Sequence, residues 1–529
     1  MRKTFLIFSL WLMAVMNLYS QNIYQKYFGL VSGEEFVRQI IQTSDKGTAA
    51  IGYTNSSGKG KKDMFLAKFD MAGNLKWAKT YGGDGDEDGY SLQQTNDGGY
   101  ILIGSTSSYG SGGDVFIVKT NASGSLVWSK AYGGSKEEIG RGIIELSDGS
   151  YMALAQTQSN SFGLWDVAAL KISAVGDILW IKQYGGNQNE LCYNLSKTSD
   201  NMFLMWGICY SFSVGKHDFL ILKINENGNL GLGKVIGTSN EDYCYSAKED
   251  PLGNFYLAGY TLNSLTGKDN VVIKTDNTFT ISWQKVIKAN KDDYFVDVLI
   301  TDENGIFLPG NTFSYGSGDR DIFLSNFSAD GQLNFFKVYG GSKDEMVPNN
   351  SSYLADYEKI MIGASTFSFH SDSFYDGYLV KTNFSGSSGC NEKTINPDVQ
   401  NANLVVNDIL SFIGTKSVSW NSVNGGAEMP LDILVNQLCF TGIEKSGTDF
   451  MIDVSNPFDN NLMVNIHYPL PEDAEIMVYD LTGKMCFDKL IPGNFCGEIS
   501  IESTSWQDGI YLVRIMSGQG TESFKIIKF

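Results

Sequence analysis

The sequence predicts an all-β fold built from one repeated sheet, on three observations. The 529 residues include 58 Gly, 27 Tyr, 32 Phe and 9 Trp but only 9 Pro, a composition that suits many short strands joined by tight turns. Turn strings such as "NDGG" at 96–99, "SDGS" at 147–150 and "NENG" at 225–228 punctuate short apolar runs along most of the chain. A lysine-centred string recurs at Lys26, Lys79, Lys130, Lys182, Lys234, Lys285 and Lys337, always 51 to 53 residues apart.

The chain opens with Arg2 and Lys3, then the apolar run "FLIFSLWLMAVM", then small Ser20. This order reads as a cleaved secretory signal peptide over residues 1–20. The run is shorter than the roughly 20 apolar residues a membrane helix needs, and no later segment is longer. The protein is therefore not expected to be integral to a membrane.

The formal charge is −19, and becomes −21 without Arg2 and Lys3. Such a surface repels nucleic acid and anionic lipid, so neither is an expected partner. Seven cysteines in an exported chain permit disulfides. Cys390 and Cys439 bracket one segment, Cys486 and Cys496 flank a hairpin turn, and Cys192, Cys209 and Cys244 read as small core residues. The three histidines, His217, His370 and His467, share no context, so a His-based zinc site or a Ser/His/Asp triad has little to build on.

Each repeat between residues 21 and 389 reads as four strands, A to D. Strand A, such as "YSLQQT", ends at an Asp-Gly type turn, and strand B, such as "GYILIGS", leads into a longer loop. Strand C opens with aspartate: Asp63, Asp114, Asp166, Asp218, Asp269, Asp321 and Asp376. Their regularity marks them as structural. Strand D carries "W-x-K-x-Y", whose aromatics are expected between sheets and whose lysine is expected in solvent.

One such sheet cannot bury both faces alone, and stacking around an axis solves that. The seventh unit has strands A to C but no strand D, whereas "NIYQKYF" at 22–28 is a strand D without a unit. The count balances in a seven-bladed β-propeller closed by its N-terminal strand, which also hides open sheet edges. The pattern "YGG…D-GGY…G-x-T…D-x-x-x-x-K" resembles the exported β-propeller repeats of Bacteroidetes-type bacteria.

Residues 390–439 leave the repeat and read as a spacer or small β module. From 440 to 529, strands of 5 to 8 residues between Pro, Gly and Asn turns predict a small β-sandwich. Asn456-Pro457-Phe458, "VYDLTGK" with Tyr479, Asp480 and Gly483, "GIYLVRI" with Gly509 and Tyr511, and Lys525 in the terminal strand are similar to a type A sorting domain of the type IX secretion system. The resemblance implies passage through the outer membrane, with that secretion machinery as a partner.

In a propeller the D-to-A and B-to-C connections meet on one face, around the channel mouth. The D-to-A connections contribute Glu35, Asp88, Glu138, Glu190, Asp242, Asp293 and Glu345, flanked by further acids, so an acidic crown is expected there. The favoured reading of these acids is nevertheless structural, one per sheet accepting backbone N–H bonds and fixing the turn into strand A. The B-to-C loops add Tyr109, Trp165, Phe212, Tyr315 and Phe369 amid Ser and Gly, candidate contacts to a sugar or protein.

"DGDEDG" at 84–89 suggests calcium, but position 12 counted from Asp84 is Thr95, where an EF-hand needs glutamate. No cofactor is expected, and calcium stays open. These residues point to a monomeric, secreted or surface propeller that binds an unidentified glycan or protein without catalysis. An extracellular glycan-active enzyme using mouth carboxylates and a purely structural surface component are the alternatives.

Overall fold

The computed structural model describes residues 23–30, 32–301, 305–355, 359–369, 374–438, 452–454, 461–466, 473–480, 484–493, 495, 497–507, 509–517 and 520–528. The signal peptide, His370, Cys439, Asn456, Pro457, Phe458, His467, Gly483 and Cys496 lie outside these residues. Among the described residues every regular element is a strand, and no helix is long and apolar enough to cross a membrane. Two compact units divide the chain, residues 1–439 and 440–529.

The first unit is a propeller-like set of seven sheets. The first sheet pairs Glu35–Gln42, Thr48–Thr54, Asp63–Phe69 and Leu75–Gly82 in chain order as strands A to D. Sheets two to six follow the same plan. In the seventh, strand C, Asp376–Asn383, takes as its D neighbour Tyr24–Gly29, with Tyr27 opposite Tyr378.

In sheets one to four, strands B and C are buried at nearly every residue. That explains runs such as "YILIGST" and "DVFIVKT": a strand packed on both faces has no polar side to alternate with. Seven apolar cores each join two neighbouring sheets. One unites Met152, Leu154 and Val167 of sheet three with Phe203, Met205 and Leu220 of sheet four. Another unites Phe28, Met361 and Leu379 of the last sheet with Val37, Ile40 and Phe65 of the first. Each large side chain so enclosed contributes roughly 1.5–3 kcal/mol, so sheet-to-sheet burial dominates the stability of the unit.

Strand D ties each sheet to the next. Tyr81, Tyr132, Tyr184 and Tyr339 are buried and donate to the carbonyls of Gly124, Gly176, Gly228 and Gly386, each in the turn that follows strand C of the next sheet. Trp128 and Trp283 donate to Ala174 and Ala329 in the same turns. The strand D lysines, expected in solvent, are half-buried tethers instead. Lys26 donates to Ala72 O at 2.8 Å, Lys182 to Asn229 Oδ1 at 2.8 Å and Lys130 to Asp177 at 2.8 Å.

Residues 390–438 form no module of their own. They retrace the seven sheets in reverse, adding a fifth strand to each: Glu392–Ile395 on sheet six, Asp398–Asn401 on five, Val405–Asp408 on four, Gly414–Ser417 on three, Asn421–Asn424 on two, Ala427–Pro430 on one and Leu434–Gln437 on seven. Between these strands Leu404, Ile409, Ile413, Trp420, Leu431 and Ile433 insert into the inter-sheet cores. Lys79, Lys234 and Lys337 grip this girdle through Glu428, Asp408 and Glu392. Cys390, at its start, is disulfide-bonded. The girdle covers each strand D edge with a four-residue polar strand, a poor template for further pairing.

In the second unit, Ile452–Val454, Asn461–Ile466 and Gly497–Glu502 form one sheet, and Met485–Ile491, Ala474–Asp480, Gly509–Ser517 and Gly520–Lys528 another. Leu462, Val464 and Ile499 from the first share one core with Ile476, Val478, Val513 and Ile526 from the second. Cys486 carries a free thiol, so the expected Cys486–Cys496 bridge is not formed.

Replacing Tyr184 with phenylalanine leaves the Gly228 carbonyl buried without its donor. Tyr184→Phe is expected to cost about 1–3 kcal/mol, read as a lower urea midpoint at unchanged slope. An unchanged midpoint would remove the Tyr–Gly bond from this account.

Candidate functional site

The acids expected to line the mouth are enclosed. Glu35, Glu138, Glu190, Asp242, Asp293 and Glu345 are each 0 % exposed. In sheet two the residue in register is Glu87, also 0 % exposed, and not Asp88. Each is the first residue of strand A, and the five glutamates tie the connection before it to the end of strand B or the loop beyond. Glu138 accepts from Gly134 N at 2.7 Å, Thr157 Oγ1 at 2.7 Å and Ser159 N at 3.2 Å. Glu87 does the same with Gly83 N and Thr106 Oγ1, and Glu345 with Gly341 N and Thr366 Oγ1. Glu35 binds Leu30 N and Thr54 Oγ1, Glu190 binds Gly186 N and Ser211 N, Asp242 binds Thr238 N, and Asp293 binds Phe313 N.

The strand C aspartates, all at most 4 % exposed, hold the B-to-C loops from the other side. Asp63 accepts from Gly60 N, Asp114 from Ser111 N, Asp166 from Phe162 N, Asp218 from Val214 N and Asp321 from Gly318 N. Asp269 instead takes Asn263 Nδ2 and Ala289 N. Asp376 crowds Gly29 together with Glu35. The glycine closing strand D fits between two such acids: a Cβ on Gly133 would lie 1.9 Å from Asp114 Oδ1 and 2.8 Å from Glu138 Oε2. This close approach is why the "YGG" string needs its first glycine.

Four of the five loop aromatics pack down onto their own sheets. Tyr109 stacks on Phe116 with centroids 6.0 Å apart, Tyr315 meets Phe336 at 5.8 Å, Phe369 meets Tyr378 at 5.4 Å, and Phe212 joins the core between sheets three and four. Trp165, half-buried, holds Glu190 N through its carbonyl.

What faces the centre is a different set. In sheets one to five strand A carries a β-bulge three residues after the buried acid. The residues left unpaired there are Arg38, Tyr90, Arg141, Tyr193 and Tyr245. A bulge re-aims its side chain out of the ladder, and all five are only half-buried while their neighbours in the strand are enclosed. Strands A of successive sheets touch, so these side chains meet. Arg38 lies 5.0 Å and Arg141 4.4 Å from the ring centroid of Tyr90, one on each side in sequence. Tyr193 stacks on Tyr243 at 5.5 Å, and their hydroxyls are hydrogen-bonded. Tyr245 contacts Tyr294 at 5.6 Å, Tyr294 lies beside Arg320, and Arg320 forks onto Asp344 at 3.0 and 2.6 Å. Asp344 also accepts from Tyr375, which meets Phe36 edge-on at 5.4 Å; Phe36 lies 4.7 Å under Arg38. The contacts thus form a belt of tyrosines and arginines to which all seven sheets contribute.

Below the belt, sheets six and seven have broken first strands. There buried Asp297 accepts from Ser246 Oγ at 3.0 Å and Ser352 Oγ at 2.6 Å, joining sheets five, six and seven.

Sequence reasoning missed this belt, yet its signal is present: Arg38, Tyr90, Arg141, Tyr193 and Tyr245 stand 51 or 52 residues apart. In sheets one to five this position holds only Tyr or Arg. The string "DGDEDG" splits three ways. Asp84 and Asp86 are exposed, Glu87 staples loops, and Asp88 receives Arg38 at 2.7 and 3.2 Å.

In the second unit, Asp480 Oδ1 accepts from Lys484 N at 3.0 Å. Tyr479 Oη contacts Met477 Sδ at 3.0 Å. Gly509 has φ 152°, a value that suits glycine. Tyr511 Oη donates to Gln507 O at 2.7 Å, its ring resting on Trp506, and Lys525 pairs with Leu512.

Residues 456–528 match the family described as "Secretion system C-terminal sorting domain". The chain therefore carries a type IX sorting C-terminus: it is exported by that system to the cell surface or medium, and its sorting domain engages the secretion machinery. Over 403 residues, 66 % of this chain, the sequence is 24 % identical to the Regulatory protein FlaEY of Caulobacter vibrioides. The match spans 40 % of that relative's length. Among solved structures, a puromycin hydrolase is similar at 10 % identity and TM-score 0.42, over 70 % of this chain and 54 % of that one. An ancestral GH74 enzyme is similar at 10 % identity and TM-score 0.38, over 94 % and 63 %.

Burial pushes Asp114, Asp166, Asp218, Asp293 and Asp321 up to about 6, and the facing carboxylates of Glu138, Glu190, Asp242 and Glu345 add to this at Asp114, Asp166, Asp218 and Asp321. In the unfolded chain such groups titrate near 3.9. The folded protein thus holds protons that the unfolded chain has released between pH ~4 and ~6, and its stability falls as pH rises through that window. Asp97, held down at about 2 first against burial by Lys119 and Thr95, contributes fully throughout it. The thermal transition is expected to be higher at pH 5 than at pH 8, with a smaller difference in Asp218→Asn. A transition that rises from pH 5 to pH 8 would contradict the assignment.

Proposed function

We propose that the chain is a seven-bladed β-propeller, closed by its N-terminal strand, that is delivered outside the cell by its sorting domain and there binds a glycan or protein at the mouth of its channel without catalysis. The observation that carries this reading is the belt. A structure repeated seven times has no structural need for Arg38, Tyr90, Arg141, Tyr193 and Tyr245 to differ from one another. Stability asks for sameness, and the enclosed acids and strand D tyrosines supply it. Where one position in the repeat varies and faces the axis with half-exposed aromatic and cationic side chains, recognition is the better explanation.

The alternative of glycan cleavage would draw on Glu35, Glu138, Glu190, Asp242, Asp293 or Glu345. These carboxylates are enclosed and occupied by loop backbone, which favours binding over hydrolysis. The proposal calls for no cofactor.

The full chain, screened against immobilised glycans and surface proteins, is expected to show saturable retention. Tyr193→Ala is expected to weaken it by about tenfold or more, since loss of one central aromatic anchor costs upward of about 1.4 kcal/mol. Release of reducing ends from a retained polysaccharide would overturn the non-catalytic reading, and undiminished binding by Tyr193→Ala would move the site elsewhere.

A further inference from the structure

Residues 21–439 hold three arginines, Arg38, Arg141 and Arg320, and all three stand in the belt. Two are neutralised by forked pairs, Arg38 with Asp88 at 2.7 Å and Arg320 with Asp344 at 2.6 Å. Arg141 is different. Its Nη2 donates to Gln156 Oε1 at 3.0 Å, its face lies on Tyr90, and among the described residues no carboxylate pairs with it. Its Nε is buried and has no acceptor. Gln156 is itself fixed, 2 % exposed, by donating to Cys192 O at 3.0 Å.

A guanidinium stays charged at any ordinary pH and presents a fork that fits a carboxylate or a sulfate. Leaving a desolvated donor unfilled is costly. In a chain with 59 acidic residues and a net charge of −19, a half-buried arginine with no acid beside it is a local exception. The overall field repels polyanions, so this site would have to recognise a negative group at short range rather than by attraction from afar.

Resting on the reading of the belt as a binding surface, we propose that the ligand is an anionic glycan whose carboxylate or sulfate is received by Arg141. Its sugar rings lie against Tyr193 and Tyr245. The belt favours a sugar over an acidic peptide because Tyr193 and Tyr245 bring phenol rings and hydroxyls rather than aliphatic pockets. A pyranose uses both parts of tyrosine, its C–H face on the ring and its hydroxyls on the phenol oxygen.

The test uses the full chain with two matched probe pairs: polygalacturonate and its neutral methyl ester, and dextran sulfate and dextran. Retention of a charged member at least about tenfold tighter than its neutral partner is expected, and which pair responds tells carboxylate from sulfate. Arg141→Gln should remove that preference, while Arg141→Lys, which keeps the charge and the stem but not the fork, should retain part of it. The thermal transitions of both variants are recorded alongside. Equal retention of charged and neutral members, reduced by Tyr193→Ala, would overturn the anionic assignment and leave the mouth reading standing. An unchanged preference in Arg141→Gln would overturn the role of Arg141. Retention of an acidic peptide and of no glycan would overturn the ligand class, and glycan retention indifferent to Tyr193→Ala would overturn both readings.

Discussion

The first carboxylate of strand A is the interaction on which the rest of the first unit depends. Taken out of water, Glu138 or its equivalent must be satisfied by donors, and it finds them in the loop before its strand and in the loop after strand B. It therefore fixes two connections at once and sets the register in which strand A begins. Three residues later the bulge turns one side chain toward the axis. The buried acid and the belt residue are thus parts of one device, the first invariant in character and the second free to vary.

This division explains how a repeat protein can carry an asymmetric site. The cores between sheets, the Tyr–Gly bonds of four strands D and the paired carboxylates recur from sheet to sheet and specify the framework. The girdle of residues 390–438 then locks the sheets from outside, each short strand pairing with one sheet and each peg filling a gap between two. With the framework so over-determined, the bulge positions can vary without disturbing it.

Much of the framework was legible in the sequence because it repeats. The 51- to 53-residue lysine spacing, the strand C aspartates and the orphan N-terminal strand yield the sheets, their strands A to D and the pairing of Tyr24–Gly29 with Asp376–Asn383. The girdle was not legible: four-residue polar strands such as Asn421–Asn424 have neither alternation nor length, and only the widely spaced Leu404, Ile409, Trp420 and Leu431 betray a partner elsewhere. Acid at a turn reads the same whether it faces solvent or loop backbone, so Glu35 and its equivalents could not be placed. Loop aromatics such as Tyr109 look exposed in a Ser/Gly context but anchor downward. The belt was overlooked for the opposite reason. Its residues sit inside strands, where Tyr193 or Tyr245 passes for core until the bulge is known.

The claim most at issue is that ligand meets this protein at the belt. Hydrogen exchange of the full chain, measured with and without a retained ligand, tests it directly. The account predicts slowed exchange concentrated at the starts of strand A, residues 35–39, 87–91, 138–142, 190–194 and 242–246, where each bulge leaves one residue out of the ladder. Slowing confined to the B-to-C loops or to the girdle, with these segments unchanged, would contradict it.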